Sequence, residues 1–196
     1  MAIGTPFATI QFALDKVNNR VLTGLVKIRV EEGDYSAEGT LQLYGINGYY
    51  FQLIAHSSGT DITGQSAAHI ISAIHLVGCY AASLIIAGFT ATITGSVPPF
   101  SVANSIQTII KWCVSESTGS YGVSIGGGCN SIEMCLFSNK GIAIISQRGV
   151  VHSSGHTAGS DNTTGLVSYS GIIVKADGSQ PQGATPESVA YGGTIV

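Results

Sequence analysis

The sequence predicts an all-β protein, a single-stranded right-handed parallel β-helix (solenoid) with a short N-terminal capping helix. Three observations predict this fold. Short strand-like segments alternate with Gly, Ser and Asn turns over most of the chain. No helical segment long enough for a βαβ crossover separates these segments, which disfavours a doubly wound sheet. Similar segments also recur along the chain, which favours stacked coils over a β-sandwich.

The first predicted element is a short amphipathic helix within residues 1–20. Thr5 is a candidate N-cap, and Pro6 then occupies the first helical position, where a missing N–H costs nothing. Apolar residues recur at helical spacing from Phe7 to Val17. We expect this helix to close one end of the stack.

The predicted strands follow the helix. Val26–Val30 alternates apolar and polar residues, so Lys27 and Arg29 are expected to point outward. Turns such as Asn47-Gly48 separate the later strands. Those strands are predicted at residues 40–46, 50–55, 69–79, 83–93, 106–115, 121–125, 131–138, 141–146, 149–152, 165–170 and 171–175.

Three similar segments, residues 74–79, 108–113 and 130–135, each form a strand that ends in a cysteine. Cys113 follows Cys79 at a spacing of 34, and Cys135 follows Cys113 at a spacing of 22. A step of 22 fits one coil of three short strands, and a step of 34 fits one coil with an inserted loop, expected at residues 95–101. Stacked coils place like residues above one another, so the cysteines are predicted to form an internal ladder.

Composition narrows the range of functions. The chain carries a net charge of −3, so no basic surface for binding nucleic acid is expected. No apolar run approaches the roughly 18 residues of a membrane span, and no secretory signal is expected. Asp61 is the single Asp, Glu, Lys or Arg between residues 39 and 110. That stretch is therefore predicted to present a Ser/Thr/Gly surface or to be covered by another chain.

Residues 1–55 resemble the start of a known superfamily. Residues Ala8 to Asp15, ATIQFALD, and the segment Ile28 to Tyr35, IRVEEGDY, resemble the capping helix and first strand of right-handed β-helices of the pectate-lyase type. Short, Gly-rich, charge-poor members resemble bacteriophage tail spikes and appendages. The predicted organisation is a capping helix (1–20), a β-helix stack (21–178) and a linker-like tail (179–196).

The resemblance implies a homotrimer on the outward-facing part of a virion, in contact with other virion proteins. Its expected function is adhesion to a cell-surface polysaccharide through the β-helix surface, without a cofactor, nucleic acid or membrane. Two alternatives stay open. One is an enzyme, a polysaccharide lyase or hydrolase, and the other is a structural spacer without a ligand. Fold alone does not decide among them.

Few residues are candidates for catalysis. Hydrolysis of a polysaccharide needs two carboxyl groups on one surface. Glu116 and Asp161 are the candidates, and the alternative for both is a solvated surface acid without a catalytic role. No metal-binding cluster is predicted.

The candidates for glycan contact are aromatic or imidazole side chains: Trp112, Tyr121, Tyr169, His152 and His156. An aromatic ring can pack on the apolar face of a pyranose. Trp112 precedes the inward Cys113, so alternation predicts that it points outward. His152 and His156 are four positions apart, but Gly155 favours a loop over a metal-binding helix.

Overall fold

A computed structural model describes residues 7–157 and 159–196, and this part of the chain holds one helix and twenty strands. The predicted Thr5 cap and Pro6 lie outside the described residues. The elements are α1 (Ile10–Asp15), β1 (Val21–Leu22), β2 (Val26–Val30), β3 (Gly33–Tyr44), β4 (Asn47–Ser57), β5 (Thr60–Asp61), β6 (His69–Val77), β7 (Tyr80–Ala87), β8 (Thr90–Ala91), β9 (Phe100–Ala103), β10 (Thr108–Lys111), β11 (Val114–Ser115), β12 (Gly119–Gly126), β13 (Cys129–Glu133), β14 (Leu136–Phe137), β15 (Lys140–Gln147), β16 (Val150–Ser154), β17 (Thr164–Tyr169), β18 (Ile172–Lys175), β19 (Thr185–Ala190) and β20 (Thr194–Ile195).

The strands form two parallel sheets that run the length of the molecule. One sheet follows the order β1-β4-β7-β10-β13-β16-β18-β20, and the other follows β14-β11-β8-β6-β9-β12-β15-β17-β19. Among the described residues, the hairpin of β4 and β5 is antiparallel and the other strand pairs are parallel. Each strand thus pairs with its equivalent in the next coil, and the predicted parallel β-helix is confirmed.

Three faces can be distinguished because the long strand β6 pairs with two separate strands. Its first half pairs with β8 and its second half pairs with β9. Face 1 comprises β8, β11 and β14, and face 2 comprises β9, β12, β15, β17 and β19. Face 3 is the other sheet, from β1 to β20. The chain visits faces 1, 2 and 3 in turn, and short turns join them.

The coils have a nearly constant length over the second half of the molecule. Ile109 pairs with Ser131 and Ser131 pairs with His152, which are sequence steps of 22 and 21. The predicted coil length is therefore confirmed. The first coils are longer, since Leu41 pairs with Ile74 at a step of 33, which accommodates the loop that follows β4.

The position of the inserted loop and one member of the cysteine ladder were predicted wrongly. Residues 95–99 do lie in the turn before β9, but the next coil takes almost as many residues over the same span, since Thr90 pairs with Val114 and Phe100 pairs with Val123. This turn is therefore not an insertion. Cys79 lies in the turn from face 2 to face 3, where its carbonyl accepts from the Ile106 N–H at 3.0 Å. Cys113 and Cys135 do stack, in the turn from face 3 to face 1. A small apolar side chain suits both turns, so the sequence did not distinguish them.

Side chains inside the coils form a continuous core. Phe100 and Phe137 are fully buried and meet edge to face with ring centroids 6.3 Å apart. The side-chain amides of two buried asparagines accept hydrogen bonds from backbone N–H groups of the turns. Asn130 accepts from the Thr108 N–H at 3.2 Å, and Asn162 accepts from the Lys140 N–H at 3.0 Å. Because these bonds join successive coils, they fix the register of the stack.

The helix α1 covers the first edge of the stack. Thr9 is its N-cap and accepts from the Phe12 N–H at 3.1 Å, while Glu38 of β3 accepts from two further N–H groups of the first turn. Gln11 and Asn18 exchange hydrogen bonds with the backbone of Gln42 and Tyr44 in β3. These amides take the place of a neighbouring strand and protect the edge.

Residues 179–196, expected as a linker-like tail, contain two strands of the stack. Thr185–Ala190 pairs with β17 and Thr194–Ile195 pairs with β18. The strand at 185–190 carries mainly exposed side chains, so it lacks the apolar alternation from which strands are recognised. Its pairing comes from backbone hydrogen bonds, including Thr185 N–H to the Thr163 carbonyl at 2.9 Å.

Candidate functional site: an uncharged groove on face 3

A shallow groove of about 270 Å³ crosses four neighbouring strands of face 3. Strands β7, β10, β13 and β16 each contribute to its walls. Ile109, Ser131 and His152 have side chains on the outer surface, since both of their neighbours along the strand are buried. Ser83 lies between the exposed Ala82 and the buried Leu84 and is half-buried. The remaining lining residues are Ala82, Gln107, Thr108, Cys129 and Asn130.

The register of the coils explains why the groove forms at this place. The backbone N–H of Leu84 bonds to the Gln107 carbonyl, and the N–H of Gln107 bonds to the Cys129 carbonyl. Ser83, Gln107 and Cys129 therefore stack at the turn from face 2 to face 3. Small side chains at positions 82, 83, 129 and 131 leave room between the larger ones. The result is an open depression with a mainly apolar lining, to which Ser131, Gln107 and His152 add a hydroxyl, an amide and an imidazole group.

Aromatic surface lies at one end of the groove. Tyr50 pairs directly with Ser83, and 41 % of its surface is exposed. Its ring meets the ring of Tyr49 edge to face, with centroids 4.5 Å apart. Directly paired residues have Cβ atoms roughly 5 Å apart. A ligand longer than the groove would therefore reach Tyr50.

Cys129 is the exposed cysteine of this molecule. The described chain contains four free cysteines, and the other three are buried. The stacked pair Cys113 and Cys135 is shielded inside the coil, where burial raises the pKa of the Cys135 thiol well above its usual value. Since the thiolate is the reactive form, an alkylating reagent should modify Cys129 first. Cys129 is therefore a chemical reporter inside the groove.

His152 is the one predicted glycan contact that lines the groove. It is exposed on β16, directly beside Ser131 of β13. The other predicted contacts lie elsewhere. Tyr121 is on face 2 in β12, where it pairs with Ile142. Tyr169 ends β17 and its ring lies 4.6 Å from that of Tyr191. The five residues do not share one surface.

Trp112 lies in a turn rather than in a strand. Its φ of 53° is left-handed, which is costly for a bulky residue, and the next coil repeats the conformation at Met134. The indole N–H of Trp112 lies 3.1 Å from the Met134 sulfur, and the Lys111 ammonium lies 4.6 Å from the ring centroid. One face and the N–H of the indole are therefore already occupied.

His156 is a buried structural residue. Its Nδ1 accepts from the Cys135 N–H at 3.3 Å, and its Nε2 lies 3.0 Å from the Ser153 hydroxyl. Ser153 donates to Gln180 at 2.6 Å. An Nδ1 that accepts leaves the proton of the neutral ring on Nε2, so His156 cannot take a proton from Ser153. This pair is not an activated nucleophile.

The two catalytic candidates lie far from the groove. Glu116 and Asp161 are exposed in the turn from face 1 to face 2, in coils separated by one intervening coil. Asn139 occupies this turn in the intervening coil, and its amide donates to the Glu116 carbonyl at 2.8 Å. Two coil spacings are about 10 Å, which exceeds the carboxyl separation of most glycosidases. The structure brings neither acid to the groove.

Lys140 is buried close to Glu116. Its ammonium donates to the Ser117 carbonyl. Burial lowers the pKa of Lys140 to about 8, although the nearby Glu116 carboxylate opposes this shift. The side chain is 2 % exposed, so a ligand on the surface cannot reach it. Lys140 therefore stabilises the turn and does not contact a ligand on the surface.

Asp61 is the centre of an ion-pair cluster at the first coils. Its carboxylate contacts Lys27 and Arg29 at 2.8 Å each, and His56 at 3.0 Å. Hydrogen bonds from Lys27 and Arg29 hold the pKa of Asp61 well below its usual range. Asp61, the charged residue of an otherwise uncharged stretch, therefore links the β4–β5 hairpin to β2 through ion pairs.

Sequence reasoning missed most of the groove. Ser83, Gln107 and Ser131 carry no motif, and their proximity depends on the register between coils. The detectable signal was the outward alternation of Ser131 and His152 on the strands of successive coils. No group of three or more potential metal ligands occurs among the described residues. No helix in residues 7–157 and 159–196 is long and apolar enough to cross a membrane.

Comparison with known proteins found no matching family model, no matching curated protein and no matching solved structure.

Proposed function

We propose that this protein is an adhesion module that binds cell-surface polysaccharide through the groove on face 3. The observation that carries the proposal is the groove itself, an open, uncharged depression that crosses four coils, with a mainly apolar lining that also carries hydroxyl, amide and imidazole groups. Such groups can both donate to and accept from sugar hydroxyls. The open ends suit a chain-like ligand, and Tyr50 offers an aromatic ring beyond one end.

The proposed setting is a bacteriophage tail appendage. This part of the proposal rests on the resemblance of residues 8–15 and 28–35, which the structure places in α1 and at β2 and the start of β3. A stack in which each coil pairs with its neighbours suits a part that must withstand proteases outside a cell. In that setting the protein contacts other virion proteins.

Filling the groove should abolish binding. Ser131→Trp places a large side chain on the outer surface of β13 without entering the core, so the fold should persist. We expect at least a tenfold loss of affinity for the polysaccharide that the wild-type protein selects from an immobilised panel, measured by biolayer interferometry. That loss corresponds to about 1.4 kcal/mol.

The matched control is Ser124→Trp, an equivalent outward serine on β12 of face 2. The control should bind like the wild type. A bound oligosaccharide should also slow alkylation of Cys129 by N-ethylmaleimide in the wild-type protein. Equal binding by both Trp variants, or no protection of Cys129, would place the ligand outside this groove.

We further propose a homotrimer that packs along the turn between faces 2 and 3. Exposed apolar residues follow this turn along the stack, and we call them the apolar edge: Tyr44, Val77, Tyr80, Ile106, Tyr169, Ile172 and Tyr191. From β3 onward, Arg148 is the charged residue in this turn. Parallel copies around a symmetry axis bring identical residues together, and an uncharged edge avoids their repulsion. Gln107 and Cys129 lie at the same turn, so each copy would bind the polysaccharide beside the subunit contact, and three copies would bind it three times.

A charge on the apolar edge should dissociate the trimer. The wild-type protein is expected to have about three times its chain mass of 20.1 kDa by light scattering after size exclusion. Val77→Glu should reduce this mass to that of one chain, because three carboxylates would meet near the axis. Val97→Glu, at an exposed valine in the turn between faces 1 and 2, is the control and should stay trimeric. A monomeric wild-type protein would refute the trimer.

A further inference from the structure

The lining of the groove indicates the charge of its ligand. Its nine residues include no Asp, Glu, Lys or Arg. A carboxylate or sulfate on a sugar is usually recognised by an Arg or Lys, because an anion that loses water needs a charged or multiple-donor partner. The net charge of −3 also disfavours a polyanion.

The nearest charges on the same strands neutralise each other. Lys111 of β10 and Glu133 of β13 lie two positions beyond Ile109 and Ser131, and their charged groups are 3.3 Å apart. Each is about three-quarters buried, so the pair is held in place. Lys111 also packs over the ring of Trp112. Its charge is therefore engaged by two partners rather than directed to the groove.

Gln107 supplies the amide with the greatest reach at the groove. It is exposed, and its φ of 53° lies in the left-handed region, where glycine is the unstrained residue. Left-handed residues recur in the turns of this stack, as at Met134 and Arg148, so the strain of about 1 kcal/mol at Gln107 belongs to the turn. The amide of Gln107 can donate and accept at once, which matches a sugar hydroxyl and gives no advantage to an anion.

We propose that the groove selects neutral polysaccharides, with Gln107 as a specificity-determining contact. This inference rests on the proposed function. The neutral ligand offers hydroxyl groups to Gln107, Ser131 and His152, and its apolar C–H surface packs on Ile109. Binding of this kind involves no ion pairs, so added salt leaves it nearly unchanged.

The test compares neutral with anionic polysaccharides immobilised on biosensor tips. Dextran, mannan and galactomannan represent the neutral class, and hyaluronan, alginate and polysialic acid represent the anionic class. Binding is measured at about 0.1 M and about 1 M NaCl, between which the Debye length falls from about 10 Å to about 3 Å. We expect binding within the neutral class, with less than about a twofold change in affinity between the two salt concentrations.

Two glycine variants separate the function of Gln107 from its backbone strain. Gln107→Gly removes the amide and relieves the left-handed φ, so affinity should fall at least tenfold while the melting temperature stays equal or rises. Arg148→Gly is the matched control, because Arg148 has a φ of 61° in an equivalent turn and does not line the groove. It should gain similar stability and keep its affinity within about twofold.

The outcomes distinguish this inference from the function on which it rests. Binding restricted to anionic polysaccharides, with affinity that falls at high salt and on Arg148→Gly, would overturn the neutral class and leave polysaccharide binding intact. Full binding by Gln107→Gly would remove Gln107 as a specificity residue. Failure of the wild-type protein to bind either class would overturn both proposals.

Discussion

Replacing Gly128 with alanine is expected to destabilise the stack by at least about 3 kcal/mol. Gly128 lies in the turn from face 2 to face 3 with a φ of +75°. A Cβ at this position would be 1.8 Å from the carbonyl oxygen of Ser105 in the preceding coil. Backbone contacts of this kind cannot yield by a rotamer change, so the two coils would have to separate locally. Urea denaturation, followed by circular dichroism, measures the loss.

Gly78→Ala is the matched control for Gly128→Ala. Gly78 occupies an equivalent turn with a φ of +61°, but no atom lies within 4 Å of the position that a Cβ would take there. Only the left-handed strain applies at this site, about 1–2 kcal/mol. The difference between the two variants therefore measures the close approach of the coils. An equal loss of unfolding free energy in both variants would contradict the close approach of the two coils at Gly128.

The stability of the protein is expected to fall by up to about 3 kcal/mol between pH 6.5 and pH 4 because of His156. Burial lowers the pKa of His156 to about 4, against an ordinary value of 6.5, and the attraction of Asp177 and Glu133 only partly offsets this. In this window the unfolded chain binds a proton that the folded chain does not, so folding loses free energy as the pH falls. Above pH 6.5 this contribution is constant.

His156→Asn tests the origin of the pH dependence. The Asn oxygen can accept from the Cys135 N–H in place of Nδ1, so the turn keeps its main hydrogen bond while the titrating group is lost. Chemical denaturation at pH 7 and pH 4.5 should show a smaller difference for His156→Asn than for the wild type. His152→Asn, at an exposed histidine in the strand before His156, should keep the wild-type difference. An unchanged pH dependence in His156→Asn would assign it to other groups.

The architecture could be predicted from the sequence because it follows from repeated local signals. Strands such as Val26–Val30 alternate visibly, and glycine-rich turns mark their ends. The register between coils was harder to predict. Cys79 and Cys113 both follow apolar strands, yet they lie in different turns of the coil. Strand 185–190 was missed because its side chains are exposed and its pairing is carried by the backbone.

The groove could be predicted only in part, for the same reason. His152 was a candidate from its residue type, and the structure places it at the groove wall. Gln107 was not, because an exposed glutamine in a turn has no distinctive sequence signal. His156 was expected at the surface because of the glycine and serines around it. Its burial depends on the neighbouring coils, which hold the residue between Cys135 and Ser179.

The near-constant step between successive coils has a consequence for how this protein can change in length. Removal of residues 131–151 would bring His152 to the place of Ser131. Every later side chain would keep its present direction, toward the core or toward solvent. Loss of a single residue within a strand would instead turn the rest of that strand inside out. Lineages of such proteins can therefore be expected to grow or shorten by whole coils, with smaller length changes confined to the turns.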